Sequence, residues 1–311
     1  MKIPELLSRL RQNDPVALAK AISIVENRKK DYKKLLEAIY PLGKTALKIG
    51  ITGAPGSGKS SLIEKLLATL KMQGLSLAVL AVDPSSPLSG GALLGDRLRM
   101  IQHSNDANVF IRSIANRGHL GGLSLSTHEI IDLLQAAGRD VIIIETVGVG
   151  QSEVDIVNVA DVVLMVLNPE SGDEIQIFKA GIIEIADIFV INKSDLGGSA
   201  GKVAEIRNYF ALSGREPLIF PTSVKEDLGI PELLAGIRRF QGQERGRISE
   251  KSVRMRENYI EKIVVERIQE TMRSDPAISD LIRGSGAANP YRAADRILEL
   301  LKTGGPHDKK D

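Results

Sequence analysis

The octapeptide Gly53-Ala54-Pro55-Gly56-Ser57-Gly58-Lys59-Ser60 restricts the fold of this chain more than any other segment. It fits the pattern G-x-x-x-x-G-K-S/T without a gap, and that pattern works only between a strand and a helix. Both flanks qualify. LKIGIT precedes it as a short apolar run, and in SSLIEKLLATLKMQ the residues Leu62, Leu66, Leu67 and Leu70 fall on one helical face. Glycines let the backbone curl so that successive N–H groups point inward at a phosphate, and the following helix adds its positive end. Residues Gly53 through Ser61 are therefore the expected phosphate cradle, with Lys59 bridging the β- and γ-phosphates and the Ser60 hydroxyl ligating Mg²⁺.

The surrounding texture agrees with such a loop. LKIGIT, LAVLAVD, NVFIRSI, DVIIIETVG, DVVLMVLNP, DIFVINKSD and PLIFPTS are apolar runs of strand length separated by helical stretches. This alternation predicts an α/β fold with a mainly parallel sheet covered on both faces, a P-loop NTPase domain over residues 43–240. Runs such as VIIIE and VVLMVL lack polar alternation, as central parallel strands must. Residues 1–42 read as a helical extension, with Asp14 capping a helix that opens on Pro15 and a second helix near residues 31–40. Residues 241–311 read as a C-terminal helical arm, charged and helix-favouring over 241–275, with a last helix near 291–302 before a polar tail. Ile260, Ile263, Val264, Ile268 and Met272 make one apolar stripe there, which suits either a solvated cap or an arm buried against another subunit.

Carboxylates end two of the strands. DVIIIETVGVG places Glu145 where an acid enters the Mg²⁺ shell and Gly148 where an N–H meets the γ-phosphate. LAVLAVD ends in Asp83 at the strand edge where such sheets bind ligands. Asp96 closes the glycine-containing segment from Leu88 and is expected to reach Mg²⁺ directly or through water. Lys59, Asp83, Asp96 and Glu145 are thus the candidate catalytic set, and Ser60, Asp83, Asp96 and Glu145 the candidate metal set. Gln151 is a candidate for orienting water. The basic, glycine-rich segment 112–124 has no derived role.

Asn192-Lys193-Ser194-Asp195 follows the strand DIFVIN. Asp195 can accept two hydrogen bonds, from the ring N–H and the exocyclic amine of guanine, a pattern adenine does not offer. Asn192 and the Lys193 stem hold the loop and cover the base. Thr222-Ser223-Val224 after PLIFP is the expected second base loop, so GTP and GDP, not ATP, are the expected ligands.

Composition removes several classes. Cysteine is absent and the four histidines are scattered, so thiolate metal sites and a nickel-inserting role find no ligand cluster. The formal net charge is +2 and aromatic residues make up 4%, which gives no basis for a nucleic-acid partner. No stretch nears the roughly 18 apolar residues of a membrane span, and the N-terminal residues lack signal-peptide character. A cytoplasmic protein without membrane association is expected.

Together, GAPGSGKSS, AVDPSSPLSGGALLGDRLRM, RSIANRGHLGGLS, ETVGVGQSEVDI, NPESGDEIQIFKAGI and NKSD closely resemble the MeaB/ArgK family of GTPases over nearly the whole length. The resemblance implies a chaperone of an adenosylcobalamin-dependent acyl-CoA mutase, methylmalonyl-CoA mutase or a relative, in which GTP binding and hydrolysis gate cofactor loading and protection. It also implies a homodimer through the C-terminal helices. Asn168 through Lys179 would be an extra switch region, with Asp173, Glu174 and Lys179 passing the nucleotide state to the mutase. Slow turnover alone, stimulated by the partner, is the expected behaviour. The chain lacks a D-x-H-x-x-G motif, so the mutase is expected to hold the cobalamin. A kinase acting on a periplasmic amino-acid-binding (LAO/AO) transport protein and a GTPase serving another metalloenzyme are the alternatives.

Overall fold

Seven strands, each four to eight residues long, form one sheet in the order β3-β2-β4-β1-β5-β6-β7, and every adjacent pair runs parallel. They are β1 Leu47–Thr52, β2 Leu77–Pro84, β3 Val109–Asn116, β4 Val141–Thr146, β5 Val162–Leu167, β6 Ile188–Ile191 and β7 Leu218–Pro221. All seven apolar runs of the sequence are strands. The computed structural model describes residues 2–84, 106, 108–116, 125–146, 154–169, 182–211, 214–284 and 289–302.

Period-2 alternation sends successive side chains to opposite faces, and both faces are covered. On one face Leu80, Val82, Ile142, Ile144 and Val163 share a core with α1 (Ile3–Arg11), α2 (Pro15–Glu26), α3 (Tyr32–Ile39) and α5 (Leu125–Ala136). On the other, Ile49, Ile51, Val79, Ile143, Leu164 and Val166 pack with α4 (Lys59–Met72) and α8 (Ile230–Gln243). A third group around Phe189 and Ile191 receives Ile206 and Phe210 of α7 (Ser199–Ala211), while α6 is the single turn Ile182–Ile185. Gly50 of β1 gives the first face its close approach, because a Cβ there would lie 2.7 Å from Ile156 Cγ1.

The N-terminal edge of the sheet is pinned by buried carboxylates. Asp161 Oδ2 accepts from Lys48 N at 2.9 Å, and Lys48 Nζ lies 3.0 Å from Asp161 Oδ1. Asp187 Oδ2 accepts from Val163 N at 2.9 Å, and Oδ1 accepts from Arg247 at 2.7 Å. Arg247 belongs to α9, the 30-residue helix Arg245–Ser274.

The chain divides into two compact units, Met1–Met255 and Arg256–Asp311. The second contains the rest of α9, α10 (Pro276–Gly284) and α11 (Pro290–Lys302), with Ile278 and Ile297 among its buried residues. Ile260, Val264 and Ile268 of the predicted stripe are exposed. No helix among the described residues is long and apolar enough to cross a membrane.

The Asp14 cap is formed as the sequence predicts, its Oδ1 accepting from Val16 N at 2.8 Å and Ala17 N at 3.1 Å. Behind it Ile22 is fully buried against the sheet core. The substitution Ile22→Ala is expected to destabilise the protein by about 2–5 kcal/mol, read as a lowered denaturation midpoint by circular dichroism.

Candidate functional site

Parallel strands put all their carboxyl ends on one edge, and the chemistry-bearing residues collect there. The loop leaving β1 turns on Gly53 at φ +140°, Gly56 at +78° and Gly58 at +93°, conformations open to glycine at little cost. Space imposes a second limit at two of them. A Cβ on Gly53 would lie 2.2 Å from the Val166 carbonyl oxygen of β5, and one on Gly58 would lie 2.2 Å from Asn192 Nδ2. Pro55 and Gly56 are exposed at the rim, Ser61 is half-buried, and Ala54, Ser57, Lys59 and Ser60 are buried.

Lys59 opens α4 from inside this loop. Its Nζ donates to Gly53 O at 2.7 Å and Ala54 O at 3.1 Å, so the ammonium is held within the cradle. The neighbouring Ser60 Oγ donates to Glu145 Oε1 at 3.0 Å. Glu145 is buried at 1% exposure and stands in register with Ile51 of β1 and Ala81 of β2. The hydroxyl and the carboxylate expected to meet Mg²⁺ are therefore in direct contact. Asp83 is the penultimate residue of β2, two strands from β1 at the same edge.

The donor set fits a phosphate and its cation on an independent observation. Thr52, Ser57 and Thr146 have buried hydroxyl oxygens with no hydrogen-bond partner among the described residues. Burying such a group without a partner costs about 1–3 kcal/mol, so three at one sheet edge mark a place built for a polar ligand. Thr52 and Thr146 were not anticipated. Their signal lies in the sequence, because LKIGIT and VIIIET are two adjacent strands that both end in a hydroxyl at the ligand-facing edge.

The second half of the site is wired to the first. Asn192 is 2% exposed, its Nδ2 donating to Ser57 O at 3.0 Å while Thr222 Oγ1 donates to its Oδ1 at 3.3 Å. Lys193 takes a left-handed conformation at φ +59°, and Ser194 N donates to Thr222 O at 3.0 Å. The NKSD turn thus rests on the loop after β7, with Thr222 and Ser223 fully buried and Val224 half-buried.

Ser223, expected as part of the second base loop, has a further role in its side chain that the sequence does not display. Its Oγ donates to Asp195 Oδ1 at 2.6 Å and accepts from Glu226 N at 3.2 Å. That hydrogen bond is the largest of the influences that hold the Asp195 carboxyl below the ordinary carboxylate range; it outweighs the opposing effect of burial, and the backbone, Lys225 and Lys193 add to it. Asp96, Gly148, Gln151, Asp173, Glu174, Lys179 and the segment 117–124 lie outside the described residues, as does the Asp83 side chain.

Strand order, loop and helix make the chain a P-loop GTPase by fold. A family model described as methylmalonyl-CoA mutase-associated GTPase MeaB matches residues 18–277, and the chain belongs to that family. A putative GTPase of Pyrococcus horikoshii is 44% identical over 312 residues, covering 96% of this chain and 98% of its own. The mitochondrial methylmalonic aciduria type A homolog of Mus musculus is 37% identical over 331 residues, covering 97% of this chain and 80% of its own. Among solved structures, an LAO/AO transport system kinase superposes with a TM-score of 0.68 at 28% identity, covering 96% of this chain and 97% of that one.

The folded pKa of Asp195 is lowered, so its ionised, base-accepting form persists above that value and is lost as pH falls through it. Removing the Ser223 donor is expected to raise that pKa. In an NMR titration of the Asp195 carboxyl between about pH 6 and 2, Ser223→Ala should move the midpoint upward toward the ordinary value, the ionised form being the one expected to accept from a guanine edge.

Proposed function

We propose that the chain hydrolyses GTP and uses the cycle to chaperone an adenosylcobalamin-dependent acyl-CoA mutase, methylmalonyl-CoA mutase or a relative. Membership of the MeaB family carries this reading, supported by the described mouse relative. The reaction is GTP plus water giving GDP and phosphate. In the binding step, the N–H groups of residues 53–61 hold the β-phosphate, and Lys59 meets the β- and γ-phosphates from within the cradle. Asp195 accepts from the guanine edge, with Asn192, Lys193 and Thr222-Ser223-Val224 shaping the base pocket. Gly148 presents its N–H to the γ-phosphate.

Ser60, Asp83, Asp96 and Glu145 would hold Mg²⁺, which neutralises phosphate charge when bound. Lys59 supplies fixed positive charge to the transferred group in a site whose hydroxyl and carboxylate are already aligned. The segment 168–179, through Asp173, Glu174 and Lys179, passes the nucleotide state to the mutase, which keeps hydrolysis slow until the partner is engaged. The helices after residue 255 form a homodimer, for which the exposed Ile260, Val264 and Ile268 provide an apolar stripe. The protein acts in the cytoplasm with neither nucleic acid nor membrane as partner.

The name of the solved relative supports a second reading, a kinase of an amino-acid transport protein. Transfer of label from γ-³²P-GTP to a periplasmic binding protein would distinguish it from release as free phosphate.

Turnover of GTP, with ATP as control, should be guanine-selective, slow for the chain alone and faster with saturating methylmalonyl-CoA mutase. Lys59→Ala should lower kcat by about 10²–10³-fold. A rate indifferent to apo and cofactor-loaded mutases would remove the chaperone assignment.

A further inference from the structure

The first two turns of α9 carry cations on two faces, and only one of those faces is neutralised. Arg247 and Lys251, four residues apart, both turn to the buried Asp187, at 2.7 and 3.8 Å. Burial lowers the pKa of Lys251 even beside that carboxylate. Glu244 pairs with Arg247 at 3.9 Å, and Glu250 pairs with Arg254 at 3.7 Å. The acids of this stretch are committed.

The other face has no carboxylate. Arg238, Gln241, Gly242, Arg245, Ile248 and Ser249 recur about once per turn across the junction of α8 and α9, and they line a cavity of about 380 Å³. Neither Arg238 nor Arg245 has a carboxylate partner among the described residues. Arg238 donates to Gln73 Oε1, and Gln73 is itself fixed as the C-cap of α4 by its N–H to Leu70 O and Lys71 O. That contact restricts the rotamers of the guanidinium before any ligand arrives, which lowers the entropy lost on binding. Ile248 packs on the core shared by α4 and α8 and gives the cavity a fixed floor.

We propose that this cavity is an anion site for a phosphorylated small molecule, separate from the P-loop. Two guanidiniums present planar, doubly donating forks matched to phosphate oxygens, with the Ser249 hydroxyl and Gln241 amide as further donors. The cavity size lies in the range of small-molecule sites, roughly 300–1,000 Å³. Its ligand touches the α8–α9 junction and, through Arg238 and Gln73, the far end of the helix that begins at Lys59.

The test is calorimetric titration of inorganic phosphate into protein saturated with GDP and Mg²⁺, at constant ionic strength, so that the P-loop does not compete. The wild type should bind saturably with a Kd on the order of 1 mM. Arg238→Ala and Arg245→Ala should each weaken binding about tenfold or more, while Arg254→Ala on the same helix leaves it unchanged. Unaltered GDP affinity in each variant verifies that the fold is intact. An equal Kd in all four proteins, no saturation by about 10 mM, or saturation by citrate but not phosphate would overturn the assignment. Failure of GDP to bind would instead speak against the P-loop reading, and the arginine dependence would still judge this site.

Discussion

The hydrogen bond from Asn192 Nδ2 to Ser57 O joins the two halves of the site, and much of the local sequence serves it. Asn192 sits at the end of β6, two strands from β1, so its side chain must span the sheet edge to reach the phosphate loop. Gly58 makes room for it, since any Cβ there would meet Nδ2 at 2.2 Å. Thr222 Oγ1 holds the other end of the amide. A change at Gly58 therefore acts on the phosphate loop and on the base loop together. The Gly53–Ser61 loop and the NKSD loop are thus mechanically one unit.

The rest of the described fold supports that edge from behind. Buried carboxylates at the opposite edge fix the starts of β1, β5 and β6, and helices on both faces supply the core. The hydroxyls of Thr52, Ser57 and Thr146 are a local cost at the ligand-facing edge. A polar ligand that donates and accepts there offsets it, which is how a site can be less stable than its surroundings and still persist.

Much of this was legible in the sequence because the constraints are local. Buried parallel strands demand uninterrupted apolar runs, and all seven were visible; a phosphate loop demands glycines at set positions, and they stand in one octapeptide. What the sequence concealed depends on pairs brought together by folding. Ser223 and Asp195 are 28 residues apart, and their contact follows from β6 and β7 lying side by side. The Ser60–Glu145 contact, by contrast, was foreshadowed by their shared place in the candidate metal set, and the β1–β4 pairing brings them together across 85 residues. Helix α10 was not singled out, although Ile278, Leu281 and Ile282 stand at helical spacing in it.

Base identity is the claim on which the account turns, and Asp195 is the residue that carries it. Substituting Asp195→Asn replaces an acceptor facing the guanine amine with a donor, the complement of the C2 carbonyl of xanthine. Equilibrium binding of GDP and XDP to the wild type and to this variant is the most direct measurement. The account predicts that GDP binding weakens and XDP binding strengthens, reversing the preference by about tenfold or more. Retention of the wild-type preference by the variant would contradict it.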